Sequence, residues 1–87
     1  MREGKLRHDV ERAAKAEALL RDPTLVEAFD TLETSFIDAW RNSSVADTDN
    51  RERLYHLLSA LQALKGQLHT VIESGKVAQA NLDQHKK

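Results

Sequence analysis

An uninterrupted series of apolar positions at heptad spacing constrains the fold of this chain more than any other feature. From residue 54 onward the series advances in alternating steps of three and four through Leu54, Leu57, Leu61, Leu64, Leu68, Val71, Gly75, Ala78 and Leu82. Such spacing places one apolar stripe along a single face of an α-helix. Leu58 and Ile72 widen the stripe, as is typical of a helix packed in a bundle. The series therefore predicts an all-α protein with a leucine-rich helix at about 49–74.

Two further helices are predicted before this one. The segment at about 8–21 is rich in Ala, Glu, Lys and Arg, which favours a helix with a thin apolar face. Asp22 and Pro23 then supply an N-cap followed by proline at the first helical position, which predicts a second helix at about 23–41. The large apolar side chains of that helix share one face, namely Leu25, Phe29, Leu32, Phe36 and Trp40. We expect an antiparallel hairpin of the second and third helices, in a single domain over 1–87.

Two segments decide where the predicted helices end. The polar run 42–50 ends the second helix, and Thr48 or Asp49 is the expected N-cap of the third. Asp49 also stands three positions before Glu52, the spacing of a capping box. Gly75 favours a break or kink, because glycine commonly follows a helix end, whereas the continuing heptad phase favours an unbroken helix. We expect the break, a short C-terminal helical segment after it, and frayed ends at 1–7 and 84–87.

The composition excludes several classes of protein. The chain has 87 residues, 40% hydrophobic and 31% charged, with no cysteine and a formal net charge of −1. Without cysteine there is neither a disulfide framework nor a thiolate zinc site. No apolar run approaches the ~20 residues needed to cross a bilayer, so we expect no membrane partner and a cytoplasmic location. The balanced charge makes nucleic acid an unexpected partner, although a local basic patch stays open, and the small size favours a homo-oligomer.

No catalytic, metal-binding or cofactor-binding residue is predicted. Glu52 and His56 stand four positions apart, whereas di-iron bundles use the spacing Glu-x-x-His. We therefore expect these two side chains to form an exposed or half-exposed hydrogen-bonded pair one helical turn apart. The glycines at 4, 66 and 75 are isolated, so no phosphate-binding loop is present, and no serine lies in a nucleophile turn. The protein is predicted not to be an enzyme and to need no cofactor.

Basic and aromatic residues flank the loop between the second and third helices. Arg41, Arg51 and Arg53 lie close to Asp and Glu residues, so mutual ion pairing and ordinary solvation are the favoured interpretation. Partner binding is the alternative, and it would use Arg41, Arg51, Arg53 and Tyr55. Trp40 is expected to pack in the core, because it continues the apolar face of its helix.

The run Asp-Thr-Asp-x-Arg-Glu-Arg-Leu-Tyr at 47–55 is followed by Leu-x-x-Leu-Lys-x-x-Leu and Ser-Gly-Lys. In this pattern the chain resembles small all-helical proteins of unknown function encoded in tailed-phage and prophage genomes. The resemblance covers roughly residues 12–82 and identifies no functional residue. It implies an assembly or packaging factor, or an accessory protein that binds a host component, in the host cytoplasm or the virion.

The apolar stripe is longer than one neighbouring helix can cover. An unbroken helix over 49–83 would reach about 50 Å, against about 28 Å for the second helix. The sequence therefore predicts a non-enzymatic helical adaptor or assembly protein that associates with further copies of itself. Its self-association face is predicted to consist of Leu54, Leu57, Leu58, Leu61, Leu64, Leu68, Val71 and Ile72. The alternative is a binding module that inhibits or sequesters a host protein or a small nucleotide ligand.

Overall fold

The computed structural model describes residues 2–85, and its secondary structure consists of three α-helices. Helix α1 spans Arg2–Arg21, α2 spans Pro23–Arg41 and α3 spans Thr48–His85. Residues 2–85 contain no strand, so the all-α prediction is confirmed. The parts of the predicted frayed ends at positions 1, 86 and 87 lie outside the described residues.

Helix α1 begins six residues earlier than the sequence predicted. It starts at Arg2 rather than near residue 8, and it includes residues that the sequence assigned to a frayed end. Leu6 is buried and lies with Val77 and Ala78 of α3 around one depression. This tertiary contact stabilises the first turns, and the sequence pattern of α1 alone could not reveal it.

Helix α2 has the predicted bounds. It begins at Pro23, directly after Asp22, and its last residue is Arg41. In the loop that follows, both the backbone amide and the hydroxyl of Ser43 donate to the carbonyl oxygen of Trp40, at 3.2 and 2.6 Å. These bonds satisfy a carbonyl that the end of the helix leaves without an intrahelical partner.

The N-cap of α3 is Asp47, not the predicted Thr48 or Asp49. The amide of Asn50 donates to Oδ1 of Asp47 at 3.4 Å, and the amide of Arg51 donates to the Asp47 carbonyl at 3.1 Å. The carboxylate stands three positions before Asn50, which is the spacing from an N-cap to the third helical residue. Because the helix already begins at Thr48, Asp49 lies within its first turn and forms no capping box with Glu52.

Helix α3 continues without a break to His85, so the predicted break at Gly75 is wrong. No described residue has a positive φ, and Gly75 is buried inside the helix. A Cβ atom at this position would collide with the Cβ of Ala13 and lie 3.2 Å from the carbonyl oxygen of Asp9. The glycine therefore allows α1 and α3 to approach closely, and it does not end the helix.

The helices form two compact units. One combines α1 and Asp22 with the part of α3 from Gly66 onward, and the other comprises Pro23–Lys65. The first unit has an alanine-rich core, which consists of Leu6, Ala13, Ala16, Ile72 and Ala78. In the second unit the buried apolar residues are Phe29, Leu54 and Leu61. That the chain forms a single domain stays a prediction.

Candidate interaction surfaces

The predicted self-association face is partly used inside the chain and partly exposed. The structure leaves Leu57 and Leu64 in contact with solvent, with 38% and 51% of their surface exposed. The other six residues of the face are buried or half-buried, namely Leu54, Leu58, Leu61, Leu68, Val71 and Ile72. The exposed part is therefore restricted to the second unit.

The exposed and buried leucines of α3 follow from helical geometry. Each residue advances about 100° around the helix axis, so Leu57 lies about 60° to one side of the buried Leu54. Leu64 stands one heptad after Leu57 and falls on the same side. The side chain of Leu32, on α2 in the same unit, is 45% exposed. Three leucines of the second unit are thus exposed.

An apolar groove of about 310 Å³ lies in the second unit, close to the loop. Its lining residues are Phe36, Ile37, Trp40 and Arg41 of α2 together with Leu54, Tyr55 and Leu58 of α3. Trp40 is 44% exposed and Tyr55 is 63% exposed. The expectation that Trp40 packs in the core holds only for part of its surface, and both aromatic rings are accessible from solvent.

Arg51 lies against this groove. The carbon atom of its guanidinium group is 4.5 Å from the centroid of the Trp40 ring, a cation–π contact between α3 and α2. Arg41 contributes a charged group to the lining of the groove. Within residues 2–85, neither arginine forms an ion pair with a carboxylate. The ion pairing that the favoured interpretation included is therefore absent for Arg41 and Arg51 in this part of the chain. Its other half, ordinary solvation, agrees with the exposure of Arg41.

Arg53 lies apart from the other two arginines. Its Nη2 atom donates to Oδ1 of Asn50 at 3.3 Å, and it lines a separate depression with Glu52 and His56. The structure thus brings Arg41, Arg51 and Tyr55 together at the groove and leaves Arg53 outside it.

Glu52 and His56 form an exposed pair, as their spacing predicted, but not the hydrogen bond that was expected between them. Oε1 of the glutamate and Nε2 of the histidine are 3.7 Å apart, and both side chains are well exposed. The ring of Tyr55 meets the imidazole edge-on, with centroids 5.8 Å apart. The described part of the chain contains no group of three His, Asp or Glu side chains placed to hold a metal ion.

The sequence placed Arg41, Arg51 and Tyr55 in an alternative partner-binding set, but it did not predict the apolar lining of the groove. Phe36, Ile37 and Leu58 are apolar residues at helical spacing, which is equally typical of a fully covered core. The sequence did contain a signal for the contact between Trp40 and Arg51, because Trp40 lies a few positions before the loop and Arg51 a few positions after it. Two helices joined by so short a loop bring such positions together.

Comparison with known proteins identifies no relative. No family model, curated protein or solved structure matches this chain. Within residues 2–85, the helices lack the combination of length and apolarity that crossing a membrane requires.

Proposed function

We propose that the protein is a non-enzymatic helical adaptor or assembly protein that self-associates through an apolar side of its second unit. The observation that carries this proposal is the exposure of Leu57 and Leu64, one heptad apart on α3, together with that of Leu32 on α2. Exposed leucines repeated at heptad spacing are typical of a helix that packs against a further helix.

The contacts within the second unit support the antiparallel hairpin that this surface needs. Nζ of Lys65 lies 3.5 Å from Oε2 of Glu33, while Arg51 lies over Trp40. Later positions on α2 therefore contact earlier positions on α3, as in two helices that run in opposite directions.

In such a hairpin the three exposed leucines fall on one side. Leu32 is displaced about 60° from Phe29 around α2, and Leu57 is displaced in the same sense by about 60° from Leu54 around α3. When two antiparallel helices face each other, displacements of the same sense lie on the same side of the pair. Two hairpins that meet through this side would form a four-helix arrangement, in which each copy covers the leucines of the other.

Sedimentation equilibrium of the full chain at tens of micromolar tests the proposal. We expect a mass of at least twice the 9.8 kDa of one chain. Leu64→Gln should weaken association by at least about tenfold, because a symmetric interface loses the apolar side chain twice and each buried leucine contributes about 1.5–3 kcal/mol.

Leu19→Gln is the matched control. Leu19 is 48% exposed, nearly the same as Leu64, but it lies on α1 in the other unit. Its substitution should leave the association constant unchanged. A clean monomer for the unsubstituted chain, or equal weakening by both substitutions, would refute self-association through this side.

A phage origin belongs to the same proposal. It is supported by the sequence pattern that begins at Asp47 and by the small all-helical architecture. The protein would then act as a structural, assembly or packaging accessory in the host cytoplasm or the virion. The gene neighbourhood tests this part of the proposal. We expect genes for phage structural proteins beside the gene for this protein.

A further inference from the structure

We propose that the groove between α2 and the first half of α3 docks an acidic amphipathic segment of a protein partner. A bulky apolar side chain of that segment enters the groove, and a neighbouring carboxylate meets Arg41 and Arg51. This inference goes beyond self-association and does not depend on it.

The size and lining of the groove favour an apolar side chain as the occupant. Its volume of about 310 Å³ is at the lower end of the range for ligand pockets, about 300–1,000 Å³. A space of this size holds one or two large side chains. Phe36, Ile37, Leu54 and Leu58 supply apolar surface within it.

The charges at the groove favour an acidic partner. Arg41 lines the groove and Arg51 lies on the ring of Trp40, and no described carboxylate forms an ion pair with either. A guanidinium group binds a carboxylate through charge-assisted hydrogen bonds. The two arginines can therefore bind a partner's Asp or Glu without first losing an ion pair within the described chain.

The residue types around the groove favour a protein rather than another ligand. Tryptophan, tyrosine and arginine dominate the binding energy of protein interfaces, and here Trp40, Tyr55, Arg41 and Arg51 occur together. Both aromatic side chains are accessible, at 44% and 63% exposure. Such a cluster can hold the apolar and the acidic part of one segment at the same time.

The groove and the exposed leucines lie on different sides of α3. Leu58 is displaced about 40° from Leu54 in one sense, whereas Leu57 is displaced about 60° in the other. A partner in the groove therefore leaves Leu57 and Leu64 uncovered. Docking and self-association can be separated by substitutions.

The test is a selection of random 12-residue peptides, displayed on yeast, against the full chain. Enriched peptides should combine Asp or Glu with Leu, Phe or Trp. Binding of the enriched peptides, labelled and measured by fluorescence polarisation, should weaken about tenfold in Arg41→Gln, because a hydrogen bond to a charged group is lost. Arg53→Gln removes an arginine outside the groove and should leave the affinity unchanged.

Circular dichroism should confirm that both variants keep the helical content of the unsubstituted chain. Sedimentation of Arg41→Gln should match that of the unsubstituted chain, so that failure of docking and failure of self-association are distinguishable. The proposal would be overturned by no enrichment, by enriched peptides without acidic residues, or by binding that Arg41→Gln and Arg53→Gln weaken equally. Peptides whose binding is abolished by Leu64→Gln but not by Arg41→Gln would also overturn it, since they would occupy the leucine side.

Discussion

Two glycines of α3 both lie within the helix but have opposite surroundings. A Cβ atom at Gly66 would meet nothing within 4 Å, whereas one at Gly75 would collide with Ala13. Glycine in a helix costs about 0.5–1 kcal/mol relative to alanine when no contact requires it. At Gly75 this cost is offset by the close approach of α1.

We therefore expect opposite effects of the same substitution. Gly66→Ala should raise the free energy of unfolding by about 0.5–1 kcal/mol. Gly75→Ala should lower it by about 1–3 kcal/mol, because the added methyl group forces α1 away from α3. Urea denaturation followed by circular dichroism measures both. Equal stabilisation by the two substitutions would mean that α1 does not pack closely at Gly75.

The sequence alone could not distinguish these glycines. Both stand in a helical pattern, and the rule that glycine follows a helix end favoured a break at Gly75. What decides its role is Ala13, a residue far away along the chain whose small side chain permits contact. Local rules carry no information about such a partner, so the sequence predicted the helix but not its continuation.

At the scale of the element, the start of α3 depends on a single carboxylate. Asp47 accepts the Asn50 amide, while Thr48 and Asp49 are already helical. The run Asp-Thr-Asp offers three capping residues in succession, and their residue types alone do not rank them. The ranking comes from the conformation of the loop, where the amide of Asp47 donates to the Ser44 carbonyl at 3.0 Å.

Asp47→Ala should destabilise the protein by about 1 kcal/mol, because an amide of the first turn loses its acceptor. Thr48→Ala serves as the control and should change the stability by less than about 0.5 kcal/mol, since Thr48 lies inside the helix. Thermal unfolding at matched concentration separates the two outcomes. A larger loss for Thr48→Ala would instead restore Thr48 as the cap.

At the scale of the whole molecule, the heptad series predicted a long apolar stripe, but it did not predict which of its leucines are buried within the chain and which remain exposed. The leucines at 54 and 61 are buried, whereas those at 57 and 64 remain exposed in the same unit. Both pairs have the same residue type and the same spacing. Which pair is covered depends on the side from which α2 packs, and no local pattern specifies that side.

The Arg residues near the loop illustrate the same limit for the candidate site. Their numbers and proximity could be read from the sequence, but the separation of Arg53 from the other two could not. It results from the direction in which each side chain leaves α3, toward Trp40 for Arg51 and toward Asn50 for Arg53.

Helix α3 contributes to both compact units, and this sharing has a consequence for folding kinetics. Glu33 and Lys65 of the second unit are 32 positions apart, whereas Ala13 and Gly75 of the first unit are almost twice as far apart along the chain. Each doubling of a closed loop adds about 0.6 kcal/mol of entropic cost, and the alanine-rich core of the first unit offers little apolar area in return. Contacts of α1 should therefore form after those of α2.

Pulsed hydrogen exchange during refolding tests this order. Backbone amides of α2 should become protected earlier than those of α1, and simultaneous protection would contradict it. If the order holds, the second half of α3 is present before its partner helix has docked. During that interval the apolar residues of this half, Ile72 among them, are exposed together with the leucines of the second unit. The folding intermediate then exposes more apolar surface than the native chain and is more prone to associate.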